Sequence, residues 1–130
     1  MELSPRRLGD VIVLGPAGRI DHLNADDFRA ALEPHLAACS GTGPALLFDL
    51  SALEYISSAG LRVLMIAAKS MRARKARIGV AALTPTVAEI FTISRFDAVV
   101  EVYAGVREAL AAMSPSALAA LAADPARGGP

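Results

Sequence analysis

Two adjacent serines, Ser57 and Ser58, occupy the position in this sequence that is best suited to chemistry. The short apolar run at residues 45–50 before them predicts a buried central strand. From Ser57 onward the apolar period becomes that of a helix, which predicts that Ser57 or Ser58 is the helix N-cap. A serine hydroxyl would then lie at a positively polarised helix N-terminus beside the end of a central strand, where sites of open α/β sheets collect.

Such a serine can attack a substrate or receive a phosphoryl group. A nucleophile elbow needs glycine two residues before its serine, and Ile56 stands there relative to Ser58. The two histidines, His22 and His35, are distant in sequence, so a catalytic triad lacks support. A phosphoryl acceptor needs only an accessible hydroxyl, because an outside kinase supplies the chemistry, and the helix N-terminus favours the new negative charge. The simpler alternative is that both serines are ordinary caps.

The other chemically capable residues do not form a recognisable pattern. Gly41-x-Gly43 lacks the following lysine of a phosphate-binding loop, so a nucleotide-binding or hydrolytic protein is disfavoured. His22 follows Asp21, but no matching cluster of metal-ligating residues accompanies them. We therefore predict a protein that is not an enzyme, with no catalytic residues, no cofactor and no metal.

The composition predicts one cytoplasmic globular domain. The chain has 130 residues, of which 54% are hydrophobic. Thirteen basic residues balance 13 acidic ones, which weighs against direct nucleic-acid binding because phosphate contacts need a basic surplus. The single cysteine, Cys39, fits a reducing compartment. The N-terminus shows no secretory signal, and no apolar run approaches the ~18 residues of a membrane span.

The alternation of strand and helix patterns predicts the order β-β-α-β-α-β-α-β-α. This order implies a mainly parallel sheet, begun by an antiparallel hairpin of residues 2–7 and 11–14. Residues 15–18 are predicted to break or bulge the second strand, which residues 19–21 resume. Residues 51–57 are predicted to form a tight crossing into the helix, and later strands are expected at 78–83 and 99–102.

The predicted helices carry apolar stripes. The first begins at the cap Asn24, and Pro34 should kink it or start a new turn. The second runs from Ser58 to near Arg74, and its first turns are apolar nearly all round, so it is either buried or offered to a partner. A third helix begins at residues 84–85, and a fourth is striped through residues 106–113.

The C-terminal end of the sequence is predicted to lie outside the main domain. We place the domain at residues 1–113 and treat residues 114–130 as a helical extension with a loose tail. Ser114-Pro115 should interrupt the preceding helix, and residues 116–123 add a helical turn or two. That alanine-rich stretch could pack on the domain, pair with another copy to form a homodimer, or fray.

The stretch Asp49-Leu50-Ser51-x-Leu53-x-Tyr55-Ile56-Ser57-Ser58-Ala59-Gly60-Leu61 resembles the signature of the STAS domain, the sulphate transporter and anti-sigma factor antagonist family. Gly18-Arg19-Ile20-Asp21 is similar to an early motif of that family. The resemblance covers roughly residues 11–113. It implies an α/β fold with a mixed sheet of four to five strands and four helices packed against it, in a single domain.

The resemblance also implies a function. Stand-alone bacterial members of this size are anti-sigma factor antagonists, which bind a serine-kinase anti-sigma factor and so regulate transcription by partner switching. The kinase phosphorylates one serine of the antagonist and weakens binding, and a phosphatase reverses this. That serine matches Ser58, with Ser57 less favoured, and Asp21 matches an acidic position near the same surface. The predicted partner-binding residues are Asp21, Ser57, Ser58, Leu61, Arg62 and Met65.

This sequence departs from the family pattern in three places, one of which is Ala59, where members commonly have a second small hydroxyl residue. Ser57 stands where the family commonly has aspartate, which puts the identity of the kinase in question. Arg95 stands where members often have glycine at a helix end, so that end is predicted to be rebuilt. The alternative function is a STAS interaction subunit of a transporter or stress-sensing complex, without a phosphorylation switch.

Overall fold

The computed structural model describes residues 1–123 of the chain. These residues form seven strands and five α-helices, with a 3₁₀ turn at Phe96–Ala98. In chain order the elements are β1 (Arg6–Leu8), β2 (Val11–Leu14), β3 (Gly18–Ile20), α1 (Ala25–Ala38), β4 (Ala45–Asp49), β5 (Leu53–Ile56), α2 (Ser58–Ala73), β6 (Ile78–Ala81), α3 (Pro85–Ile93), β7 (Glu101–Tyr103), α4 (Val106–Met113) and α5 (Pro115–Ala123).

The main sheet has the strand order β1-β2-β4-β6-β7. The pair β1–β2 is antiparallel, and the other three pairs are parallel. The strand β4 therefore lies at the centre of the sheet, as its continuous apolar sequence predicts. This arrangement confirms the predicted α/β fold with a mainly parallel sheet that begins with a hairpin.

Both faces of the main sheet are covered. Phe48 of β4 points into a core shared with α1, α2 and α3, where Phe28, Leu64 and Phe91 are also buried. Its neighbour Leu47 points into a second core on the opposite face, which α4 and α5 cover. Because side chains alternate along a strand, a single apolar run supplies both cores.

A second, two-stranded sheet differs from the prediction. The structure pairs β3 with β5 in parallel, away from the main sheet. Residues 19–21 were predicted to resume the second strand, and residues 51–57 to form a tight crossing, so both predictions are wrong. The strand β5 is stabilised by the burial of Leu53 and Ile56. A turn precedes it, in which Leu53 donates its N–H to the Leu50 carbonyl at 3.1 Å.

Several element bounds also differ. The first helix, α1, continues through Pro34 to Ala38, so no new helix starts at the proline. The first strand begins at Arg6 and includes Leu8, and the last strand is shifted to Glu101–Tyr103. The helical turn or two predicted at residues 116–123 is a fifth helix, α5, of nine residues, which packs against β1 and α4. The predicted loose tail at residues 124–130 lies outside the described residues.

The residue that follows α3 has a left-handed backbone conformation, although it is an arginine and not a glycine. Arg95 follows the C-cap Ser94 and has φ 59° and ψ 23°. The prediction that this helix end is rebuilt is therefore wrong. Ser94 donates its N–H to the Ile90 carbonyl at 3.0 Å, and Arg95 donates its N–H to the Thr92 carbonyl at 3.2 Å. These bonds offset the cost of the left-handed conformation.

None of the helices within residues 1–123 is both long enough and apolar enough to cross a bilayer.

Candidate functional site

The first turn of α2 gives its two serines different surroundings. Ser57 is the N-cap, and its Oγ accepts the N–H of Gly60 at 3.3 Å. Ser58 is the first helical residue, and its side chain is exposed. Within residues 1–123 the Ser58 hydroxyl makes no hydrogen bond. Ser57 is therefore the helix cap, and Ser58 carries the exposed hydroxyl. The sequence alone did not decide between these two roles.

The small β3–β5 sheet places Asp21 next to these serines. Ile20 at the end of β3 is in register with Ile56 at the end of β5. The Ser57 N–H continues this pairing by donating to the Ile20 carbonyl at 2.8 Å. Since two parallel strands end together, the residues that follow them, Asp21 and Ser57, share one edge of the molecule.

Gly60 allows α2 to sit directly on this small sheet. A Cβ at position 60 would lie 2.7 Å from both Ile20 Cγ2 and Ile56 Cγ1. Those distances are well inside van der Waals contact, so only glycine permits the approach seen here. The glycine therefore fixes the position of Ser57 and Ser58 relative to β3 and β5.

Asn24 holds the loop that carries Asp21. Its side chain makes no capping bond to α1, although it occupies the N-cap position. Instead its Oδ1 accepts the Asp21 N–H and its Nδ2 donates to the Arg19 carbonyl, each at 2.8 Å. The Asp21 carboxylate in turn accepts the Leu23 N–H at 2.9 Å. Asn24 was predicted to cap α1. Its side chain instead fixes the loop at Asp21 through these two hydrogen bonds, which we call the Asn24 clamp.

Four of the predicted partner-binding residues lie on one face of α2. Ser58, Leu61, Arg62 and Met65 follow the spacing i, i+3, i+4 and i+7. Ser58 and Arg62 are exposed, whereas Leu61 and Met65 are half-buried and pack against the core. The neighbouring Ile66 keeps 54% of its surface exposed. This face therefore offers polar and apolar surface together around the free hydroxyl.

A groove between α1 and α2 extends from Ser58. It has a volume of about 400 Å³, and both Ser58 and Arg62 line it. From the α1 side it is lined by His22, Asp26 and Arg29. The sequence alone gives no connection between these three residues and the serines. Only the acidic first turn of α1 was visible in the sequence, and the packing of α1 on α2 is a long-range contact.

A second basic residue lies on the outer surface of the small sheet. The exposed guanidinium of Arg19 in β3 stacks 4.4 Å above the ring centroid of Tyr55 in β5. Cation–π pairs of this kind at exposed positions contribute about 0.5–1 kcal/mol. The pair ties the two strands together beside Asp21.

In the part of the chain that is described, no group of three or more His, Cys, Asp or Glu residues could hold a metal ion. The groups with displaced pKa values lie away from α2's first turn. Burial raises the pKa of the Cys39 thiol, and hydrogen bonds from Ser114 lower the pKa of Asp10.

The sequence matches the family described as the STAS domain over residues 2–109. This chain belongs to the STAS domain family. A curated relative of this STAS protein, named as the anti-sigma factor antagonist BtrV of Bordetella bronchiseptica, is 36% identical over 119 residues. That match covers 91% of this chain and 98% of the relative.

Solved structures share the same STAS fold. The crystal structure of an anti-sigma factor antagonist from Mycobacterium paratuberculosis is 27% identical, with a TM-score of 0.73 over 83% of this chain and 89% of that one. The Bacillus protein SpoIIAA in its unphosphorylated form is 18% identical, with a TM-score of 0.68 over 85% of this chain and 94% of that one. At 18% identity, the similarity to SpoIIAA establishes only that the fold is shared.

Proposed function

We propose that this STAS protein is an anti-sigma factor antagonist whose binding surface is the first turn of α2 and the adjoining Asp21 loop. Its partner is a serine-kinase anti-sigma factor, and phosphorylation of Ser58 switches the protein off. A phosphatase would restore the binding form. The observation that carries this proposal is the exposed, unbonded Ser58 hydroxyl at the start of α2.

The geometry supports Ser58 rather than Ser57 as the acceptor. The Ser57 Oγ is engaged with the Gly60 N–H, and the residue is only partly exposed. The Ser58 hydroxyl is exposed and makes no hydrogen bond within residues 1–123, so it can enter the active site of a kinase. In the transfer, Ser58 Oγ bonds to the γ-phosphorus of ATP, ADP leaves, and the hydroxyl proton passes to a base of the kinase.

A phosphate at Ser58 would oppose docking over this face. The group carries a charge near −2 at neutral pH. A partner that covers Leu61 and Met65 with apolar surface would have to bury that charge beside them. Burial of charge in excess of what nearby cations neutralise costs several kcal/mol, and one guanidinium cannot neutralise a charge near −2, so the modified form should dissociate.

The relatives support the general role. BtrV and the Mycobacterium paratuberculosis protein are both named as anti-sigma factor antagonists. SpoIIAA, which shares the fold, has been solved in an unphosphorylated and a phosphorylated form. No feature of the described residues favours the alternative of a transporter or stress-sensing subunit. Genes for transporter subunits next to the gene of this protein would support that alternative.

The test is phosphorylation by the cognate kinase. The purified protein is mixed with its anti-sigma factor and ATP, and its intact mass is measured. We expect a gain of one phosphoryl group in the native protein and in Ser57→Ala, and no gain in Ser58→Ala. Modification of Ser58→Ala, or its loss in Ser57→Ala alone, would place the acceptor at Ser57 and contradict the proposal.

A further inference from the structure

The groove between α1 and α2 brings charged side chains to the proposed acceptor. Besides Ser58, it is lined by His22, Asp26 and Arg29 from the α1 side and by Arg62 from α2. A phosphate attached to Ser58 Oγ would thus enter a groove with two guanidinium groups on its walls. These two guanidinium groups differ in whether they are free to bind the phosphate.

Arg62 is the free one. It lies one helical turn after Ser58, at i+4, where Cβ atoms on a helix are about 5–6 Å apart. Its side chain is exposed and makes no hydrogen bond or ion pair within residues 1–123. A guanidinium can donate two parallel N–H bonds to phosphate oxygens, which a side chain of this length can direct back towards residue 58.

Arg29 is already occupied on the opposite wall. Its guanidinium lies 3.9 Å from an Asp26 oxygen and 3.5 Å from a Glu33 oxygen. Asp26 also lines the groove, so the α1 wall carries little net positive charge. His22 is exposed, and Asp21 is not among the residues that line the groove. Of the two arginines that line the groove, Arg62 is therefore the one without an ion-pair partner within residues 1–123.

We propose that Arg62 is the intramolecular counter-ion of phosphorylated Ser58. Its guanidinium donates to the phosphate oxygens and holds the group against α2 at the mouth of the groove. This inference rests on the proposed function only for the biological setting in which Ser58 becomes phosphorylated. It adds that the off state is a defined local structure in which the phosphate and Arg62 are joined, rather than a phosphate free in solvent.

The test uses phosphoserine installed at position 58 during translation, so that no kinase is needed. The phosphate resonance is followed by ³¹P NMR as the pH is raised through its second ionisation, which lies near 6 for phosphoserine. Because a nearby cation favours the dianion, we expect the midpoint in the otherwise native protein to be about half a pH unit lower than in Arg62→Gln. His22, Asp21 and Asp26 are the same in both proteins.

The matched control is Arg72→Gln, on the same helix about 15 Å beyond Arg62 and about 21 Å from Ser58. Its midpoint should equal that of the otherwise native protein. The proposal is overturned if Arg62→Gln leaves the midpoint unchanged, or if Arg72→Gln raises it equally. Neither result depends on the kinase. Failure of the anti-sigma factor to modify Ser58 would reject the proposed function alone.

Discussion

Ser57 and Ser58 have the same side chain, yet the helix that they begin gives each a different role. The Ser57 Oγ accepts a backbone N–H that the helix cannot satisfy internally. One residue later the Ser58 hydroxyl is exposed and makes no hydrogen bond within residues 1–123. At the residue scale, the helix cap and the proposed phosphorylation site are thus adjacent residues.

This division predicts different effects on stability. Ser57→Ala should lower the free energy of unfolding by about 1 kcal/mol, because the Gly60 N–H loses its acceptor. Ser58→Ala should change it by less than about 0.5 kcal/mol, as for an exposed surface position. Urea denaturation of the two variants measures both. An equal loss in Ser58→Ala would show that Ser58 contributes as much to the helix end as Ser57 and would contradict this division.

Gly60 is the residue that determines how closely α2 approaches the small sheet. Gly60→Ala should destabilise the protein by about 1–3 kcal/mol, because the new Cβ overlaps Ile20 and Ile56. Alanine is otherwise the better helix former by about 1 kcal/mol, so propensity alone predicts the opposite sign. The melting temperature of Gly60→Ala distinguishes destabilisation by this overlap from stabilisation by helix propensity. A stabilised Gly60→Ala protein would mean that α2 moves away from the sheet at little cost.

At the scale of elements, the β3–β5 pair and the Asn24 clamp set the relative positions of Asp21 and Ser58. The two strands end side by side, and Asn24 fixes the loop that leaves β3. The proposed surface is therefore a product of two segments that are more than 30 residues apart in sequence, joined by backbone pairing.

Loss of the clamp should affect this loop. Asn24→Ala removes two side-chain hydrogen bonds and should lower the free energy of unfolding by about 1–2 kcal/mol. Leu23→Ala is the matched control, because Leu23 is the adjacent residue and 81% exposed. Chemical denaturation compares them. If both substitutions cost the same, the two Asn24 bonds contribute nothing specific.

The left-handed Arg95 is a second element-scale feature. Arg95→Gly should stabilise the protein by up to about 1 kcal/mol, since glycine adopts a φ of 59° without strain. Ser94→Gly, one residue earlier in an ordinary helical conformation, should destabilise it by about 0.5 kcal/mol. The difference in melting temperature between these variants tests the sign. A less stable Arg95→Gly would show that the arginine side chain outweighs the strain.

At the scale of the whole molecule, the sheet separates the proposed surface from a stabilising network on the far side. Arg77 of the loop before β6 pairs with Glu101 of β7 and donates to the Ala112 carbonyl of α4 at 3.1 Å. Tyr103 donates to the same Glu101 carboxylate at 2.6 Å. This network joins the sheet edge to α4 on the face opposite α2.

The network predicts a pH dependence. Hydrogen bonds from Arg77, and then from Tyr103, lower the pKa of Glu101 despite its partial burial. The folded state thus favours the carboxylate, so its contribution is present above the unfolded pKa of about 4.3 and is lost as the pH falls below it. The stability gap between native protein and Glu101→Gln should shrink from pH 6 to pH 3. Urea denaturation at each pH measures this gap, and a gap that stays constant from pH 6 to pH 3 would contradict the assignment.

The sequence predicted the parts of the fold that local pattern determines. The apolar run of β4 indicated a central strand, and the change of period at Ser57 indicated the start of α2. The strand β5 was missed because Glu54 and Tyr55 interrupt its apolar pattern, and its partner β3 lies far away in sequence. The Asn24 clamp and the α1–α2 groove also depend on long-range packing, which periodicity does not encode.

The most direct test of the central claim is the affinity of the cognate anti-sigma factor for two forms of this protein. Isothermal titration calorimetry would compare the unmodified protein with the protein carrying phosphoserine at position 58. We predict that the phosphorylated form binds at least about tenfold more weakly, a difference of about 1.4 kcal/mol. Equal dissociation constants for the two forms would contradict the account.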